Sequence, residues 1–238
     1  MNAHGAPART ARTATLTLRG VVDGAREIAP VAIFVIPFGI AFGAAAIEKG
    51  LSATLSVLMS SLVFAGASQF AALDLWASPM PYVMLALTVF AVNARHILLG
   101  AALAPWLLHL PAAKRYAVLS VLSDPNWAQA TRALQRGETD AGLILGSGLL
   151  MWVAWILATA VGAVLGSNLG DLTRFGFDVL MISFFTAAVV GQWRGLPDLV
   201  PWLVAAAVAL VGAWVLPFGW HVVAGALAGG ITGALRHG

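Results

Sequence analysis

Charge is what this sequence has least of. Of its 238 residues, 13 are Lys or Arg and 10 are Asp or Glu, 10% in all, where an ordinary soluble domain carries roughly 25%. A water-soluble shell cannot be built from so few charges. Cysteine is absent, which excludes a disulfide framework, thiolate metal sites, iron–sulfur clusters and cysteine nucleophiles. Five scattered histidines do not replace them, and no His/Asp/Glu cluster stands at ligand spacing within the apolar runs, so neither a metal nor another cofactor is expected. The net charge is only +3, and the basic residues sit at the ends of apolar segments rather than in one patch. Nucleic acid is therefore not an expected partner.

What is present is apolar sequence, 60% of the chain. Runs near 28–47, 52–77, 80–108, 142–166, 175–192, 199–216 and 218–235 approach or exceed the roughly 20 residues that carry a helix across a bilayer. They are continuous rather than alternating, which fits helices and not an outer-membrane barrel. The expected fold is an all-α integral membrane protein, a polytopic bundle of six to seven hydrophobic segments with broken or re-entrant helices. Residues 1–27 read as a basic cytoplasmic tail and 28–238 as a single transmembrane transport domain with a polar loop at about 109–141. The first run ends in Ala44-Ala45-Ala46, as a cleaved signal might, but it is longer than a usual signal core and more spans follow at once.

Topology can be tested against the positive-inside rule. Arg9, Arg12 and Arg19 precede the first span, and Lys114, Arg115, Arg132 and Arg136 lie in the polar loop. Both stretches fall on one side if 52–77 dips in and returns, with a break at Gly66-Ala67-Ser68-Gln69. Six spans with one re-entrant segment are thus expected, with seven full spans as the alternative. Glycines four apart, at Gly39/Gly43, Gly142/Gly146, Gly162/Gly166/Gly170 and Gly225/Gly229/Gly233, predict faces on which helix backbones approach closely.

A charge at the centre of a span costs about 2.5–3.5 kcal/mol on insertion scales, so it should be paired or face water. Arg95 is the clearest case, near the midpoint of 80–108 within Val92-Asn93-Ala94-Arg95-His96. A guanidinium there suits a bidentate grip on a carboxylate; an internal salt bridge is the competing role. His96 divides between packing and proton handling. Asp178 lies four residues after Arg174 on the same helical face, so a local pair competes with ion coupling. Pro37 cannot donate to the carbonyl of Ile33 and is a candidate helix break, as are Gly66 and Pro217. Val35-Ile36-Pro37-Phe38-Gly39 is nearly repeated at Val215-Leu216-Pro217-Phe218-Gly219. An intramembrane serine hydrolase using Ser68 with His96 or His221 is a second function class; another is a transporter of a different small organic solute.

Three strings carry a more specific resemblance. Pro37-Phe38-Gly39-Ile40-Ala41-Phe42-Gly43, Val63-Phe64-Ala65-Gly66-Ala67-Ser68-Gln69-Phe70 and Asn93-Ala94-Arg95-His96-Ile97-Leu98-Leu99-Gly100-Ala101 resemble the AzlC family of branched-chain amino-acid exporter subunits in order and spacing. The likeness covers about residues 26–135 and thins beyond. Ser123-Asp124-Pro125 departs from the family's usual Thr-Asp-Glu. The resemblance implies export of leucine, isoleucine, valine and methionine across the bacterial cytoplasmic membrane, with a small AzlD-like membrane subunit as partner. On that reading Arg95 takes the substrate carboxylate, and Asn93, Ser68, Gln69 and backbone carbonyls near Pro37 or Gly66 take the ammonium. Phe38, Phe42, Phe64 and Phe70 line the aliphatic side chain. With no nucleotide-binding motif, an ion gradient supplies the energy, His96 and Asp178 being the candidate proton carriers.

Overall fold

The computed structural model describes residues 14–169, 186, 190, 193, 195–216 and 220–237. They form α1 (Leu18–Glu48), α2 (Ala53–Leu62), α3 (Gly66–Asp74), α4 (Tyr82–Asn93), α5 (Arg95–Leu107), α6 (Ala112–Ser120), α7 (Asp124–Gln135), α8 (Gly142–Leu169), a short 3-10 turn at Leu196–Asp198, α9 (Leu199–Val215) and α10 (Trp220–His237). Among the described residues, four stretches, Leu18–Glu48, Tyr82–Leu107, Gly142–Gly166 and Leu196–Val215, are long and apolar enough to cross a bilayer. The chain is an all-α membrane protein, as its composition requires. The apolar run 175–192 falls almost wholly outside the described residues.

The chain divides into two compact units, Met1–Pro30 with Leu98–Leu150, and Val31–Ile97 with Met151–Gly238. The boundary falls inside α1, α5 and α8. In the first unit, Leu103, Trp106, Leu107, Val118, Leu122, Ala130 and Ile144 form the core. Its polar groups close helix ends. The Asp140 carboxylate accepts from the Thr17 amide at 3.0 Å and from the Gly142 amide at 2.9 Å, and the Thr17 hydroxyl accepts from the Gly20 amide at 3.0 Å. This cap starts α1 at Leu18, so residues 18–27 are helical rather than part of a tail. A parallel bridge between Thr15 and Asp140 lies beside it. The Asn126 side chain accepts from the Ser123 amide at 2.7 Å, so Ser123-Asp124-Pro125 opens α7 as a helix cap. After α7 and its cap Arg136, Gly137, with a φ of 83°, lets the Glu138 amide reach the Ala133 carbonyl at 3.0 Å, the geometry glycine permits after a helix.

α1 and α8 lie parallel in both units. In the first, a Cβ on Gly146 would meet the Val21 carbonyl oxygen at 1.8 Å, and one on Gly142 the Thr17 carbonyl oxygen at 2.6 Å. In the second, Gly43 faces the Thr159 carbonyl at 2.1 Å by the same measure, Gly162 faces Ile40 at 2.0 Å, and Gly39 faces Ala158. Residue numbers rise together along the two helices. Gly225 and Gly229 face Ala209 and Ala205 on α9, where numbers run in opposition, so α9 and α10 form an antiparallel pair. The spaced glycines pack helices inside the chain; Gly170 lies outside the described residues.

Two expectations about helix breaks change. α1 is continuous through Pro37, because a proline removes one hydrogen bond without obliging a membrane helix to stop; Pro37 and Ile33 are on its exposed face. The 52–77 segment does break, at 63–65 rather than 66–69. Its halves, α2 and α3, are about 15 and 14 Å long, each about half of a hydrocarbon core.

Candidate functional site

The second unit joins its polar side chains around the α2–α3 break. At the start of α3, the Trp155 ring fills the space beside Gly66, 2.8 Å from where a Cβ would stand, so the position admits no side chain. The Gln69 amide is the first in α3 to donate to a backbone carbonyl within reach, Ala65 at 3.0 Å, and no side chain caps this end. The amides of Gly66, Ala67 and Ser68 therefore lack intrahelical acceptors and point toward the break. The Ser68 hydroxyl donates to the Ala65 carbonyl at 2.9 Å and accepts from Asn93 Nδ2 at 3.0 Å. Because that hydroxyl hydrogen is already directed at Ala65, Asn93 must present its NH2 end to Ser68. Its carbonyl, Oδ1, is then left buried with no hydrogen-bond partner among the described residues.

Asn93 ends α4, and Arg95 opens α5 after the single turn residue Ala94. The Ile97 amide turns back to the Ala94 carbonyl at 3.1 Å, a tightening that interrupts the 82–107 span at its midpoint. Arg95 is half-buried and its Nε is enclosed by protein. His96 Nδ1 is 3.2 Å from the Asn93 carbonyl oxygen; since a carbonyl only accepts, Nδ1 carries the hydrogen and Nε2 is the nitrogen that can receive a proton.

Gln69 is used differently from the sequence expectation. It is fully buried: its Oε1 accepts from Trp155 Nε1 at 2.9 Å, and its Nε2 donates to the Ser60 hydroxyl at 3.1 Å. Ser60 in turn pairs with the Thr159 hydroxyl at 2.8 Å. This chain ties α2, α3 and α8 together, so Gln69 positions the break rather than lining open space. Ser60, Thr159 and Trp155 were not among the sequence candidates, although Ser52/Ser56/Ser60 and Trp155/Thr159 recur at helical spacing within apolar runs.

Phe38, Phe42, Phe64 and Phe70 all belong to one cluster with Trp155, Leu51 and Leu73. The Phe42 ring stands edge-on to Phe70 at 5.5 Å and stacks on Trp155 at 6.0 Å. Phe42 and Phe70 are buried, so in this conformation their faces are occupied by one another. A cavity of about 420 Å³ is an apolar groove on α9 between Ala207 and Leu216 and touches none of these residues. Ser68 has no histidine among its partners: His96 meets the Asn93 backbone, and His221 packs against Gly212. No three His, Asp or Glu side chains gather among the described residues. Asp178 and Pro217 lie outside the described residues.

The family model described as AzlC protein matches residues 30–169. The chain belongs to the AzlC family. Every candidate from Pro37 to His96, and the Thr159 and Trp155 pair, lies within the AzlC match. The chain is 32% identical over 151 residues to the inner membrane protein YgaZ of Escherichia coli, covering 62% of each chain. It is 27% identical over 156 residues to the branched-chain amino acid transport protein AzlC of Bacillus subtilis, covering 65% of this chain and 61% of that one. An uncharacterized membrane protein of Archaeoglobus fulgidus is 32% identical over 155 residues, 65% of this chain and 66% of its own. The matched region thus spans just under two thirds of these relatives. No solved structure matches.

Proposed function

We propose that this AzlC-family protein is a secondary transporter that exports branched-chain amino acids across the cytoplasmic membrane, together with a small AzlD-like subunit. The observation that carries the reading is the junction of α3 with the α4–α5 turn. Unbonded backbone amides at Gly66–Ser68, a neighbouring in-span cation at Arg95 and the buried, unpartnered acceptor Asn93 Oδ1 are the groups a zwitterion needs. Helix amino ends favour a carboxylate, Arg95 supplies positive charge, and Asn93 Oδ1 accepts from the ammonium. The name of the Bacillus relative points to the same substrate class. The Phe38/Phe42/Phe64/Phe70 cluster supplies the apolar wall, which must part to admit an isobutyl or sec-butyl group.

Two further features support the reading. α1 and α8 run parallel, whereas two full crossings between them would make them antiparallel. With 82–107 long enough to cross and α2 and α3 each about half a membrane, this supports reading the 52–77 segment as re-entrant. The bridge between Thr15 and Asp140, at the start of α1 and the end of the polar loop, supports reading both as cytoplasmic under the positive-inside rule. One charge moved through 100 mV supplies about 2.3 kcal/mol, enough for a roughly 50-fold solute gradient. Proton antiport through His96 Nε2, with Asp178, would couple it.

The test is leucine export from dipeptide-fed cells that lack their own exporters, with the protein alone, with its small partner and with Arg95→Ala. Intracellular leucine should fall with the wild type and stay high with Arg95→Ala at equal membrane abundance. Equal export by both would refute the assignment of Arg95, and a proteolytic activity lost on Ser68→Ala with export intact would favour the hydrolase class.

A further inference from the structure

Trp155 touches both the apolar and the polar parts of the candidate site. Its side chain is buried and stacks on Phe42, with 6.0 Å between ring centroids and 26° between planes. Its Nε1 donates to Gln69 Oε1 at 2.9 Å. The outer edge of the indole, Cη2 and Cζ2, stands 2.8 and 3.1 Å from where a Cβ on Gly66 would be. Cα–Cβ bonds in a helix tilt toward its amino end. The ring edge therefore lies against the open start of α3, beside the amides of Gly66, Ala67 and Ser68 that no side chain caps.

The backbone behind the ring is held. A Cβ on Gly39 would come within 2.5 Å of Ala158 Cβ and 3.2 Å of the Trp155 carbonyl oxygen, so α8 is pressed against α1 here and the ring moves by turning about its own side-chain bonds. The Gln69 hydrogen bond is its polar tether. Turning the ring away opens an apolar slot between Phe42 and Gly66. The side chain of an amino acid springs from the carbon next to its carboxylate, so a carboxylate on the α3 amides places the side chain in that slot. We infer that Trp155 is the gate and the selectivity element of the substrate site: its ring fills the place of the substrate side chain and is displaced by it. The inference rests on the amino-acid transport reading and adds the residue that sets which side chain is carried.

Binding of alanine, valine, leucine and phenylalanine to the wild type, Trp155→Leu and Trp155→Phe in detergent tests it. With less ring to displace, the gain should grow with the length of the ligand's side chain. Trp155→Leu should raise the affinity for phenylalanine relative to alanine about tenfold, and Trp155→Phe, which keeps a ring near Phe42 but is too short to reach Gly66, about threefold. Should Trp155→Leu fail to fold, Trp155→Phe decides alone. A ring that merely props α3 would weaken all four ligands alike when shortened. Wild-type leucine binding with ratios unchanged in the variants therefore overturns the gate and leaves the transport reading standing. A wild type that binds none of the four refutes the transport reading itself, and the gate with it.

Discussion

In the unit containing α6 and α7, polar side chains finish helices: Asp140 and Thr17 start α1, and Asn126 starts α7. In the unit containing α2 and α3 they do the opposite job, holding a helix interrupted where lipid would otherwise require it to continue. Trp155, Gln69, Ser60 and Thr159 bond one another across three helices, and the short helix they hold has an uncapped amino end where Ser68 bonds Asn93. A cap substitution should therefore cost stability alone, whereas a change around the break should alter what the protein binds.

The comparison breaks most completely at the close helix approaches common to both units. Gly43→Val and Gly146→Val would drive a side chain into a carbonyl oxygen, where a Cβ alone already comes within 2.1 and 1.8 Å. Neither variant should yield monodisperse protein in detergent, because backbone cannot yield as a flexible side chain can. Arg95→Ala should leave folding intact and reduce export by about 30-fold, the order expected when the substrate carboxylate loses its charged partner; flux at matched protein level measures it. Trp155→Phe should lower stability by about 1–3 kcal/mol by leaving Gln69 Oε1 unsatisfied, and pairing it with Gln69→Leu should recover part of that loss in thermal unfolding. Smallest is Asp140→Ala, about 1 kcal/mol through the α1 cap, with export per folded molecule unchanged.

Much of this was legible in the sequence, for reasons specific to particular residues. Apolar length marked the spanning helices, spacing marked the glycine contacts, and Arg95 stood out because lipid tolerates so few charges. The break near Gly66 was found one turn late, since the glycine is there for the Trp155 ring rather than for a turn, and the chain leaves the helix earlier, at Val63. Pro37 was over-read because a missing donor does not stop a membrane helix. Trp155 and Thr159 escaped notice because their role depends on contacts 86 and 99 residues away, which no local pattern encodes. The parallel course of α1 and α8 agrees with the re-entrant reading of 52–77, but which glycine faces which carbonyl was not legible.

The central claim is that the α3–α4 junction recognises both ends of an α-amino acid with separate groups. Its most direct test is binding of leucine, of 4-methylpentanoate, which lacks the amine, and of 3-methylbutylamine, which lacks the carboxylate, to the wild type, Asn93→Leu and Arg95→Ala in detergent. Asn93→Leu should weaken leucine but leave 4-methylpentanoate unchanged, and Arg95→Ala should weaken leucine but leave 3-methylbutylamine unchanged. If both substitutions weaken all three ligands alike, or neither weakens leucine, the two-ended site is contradicted.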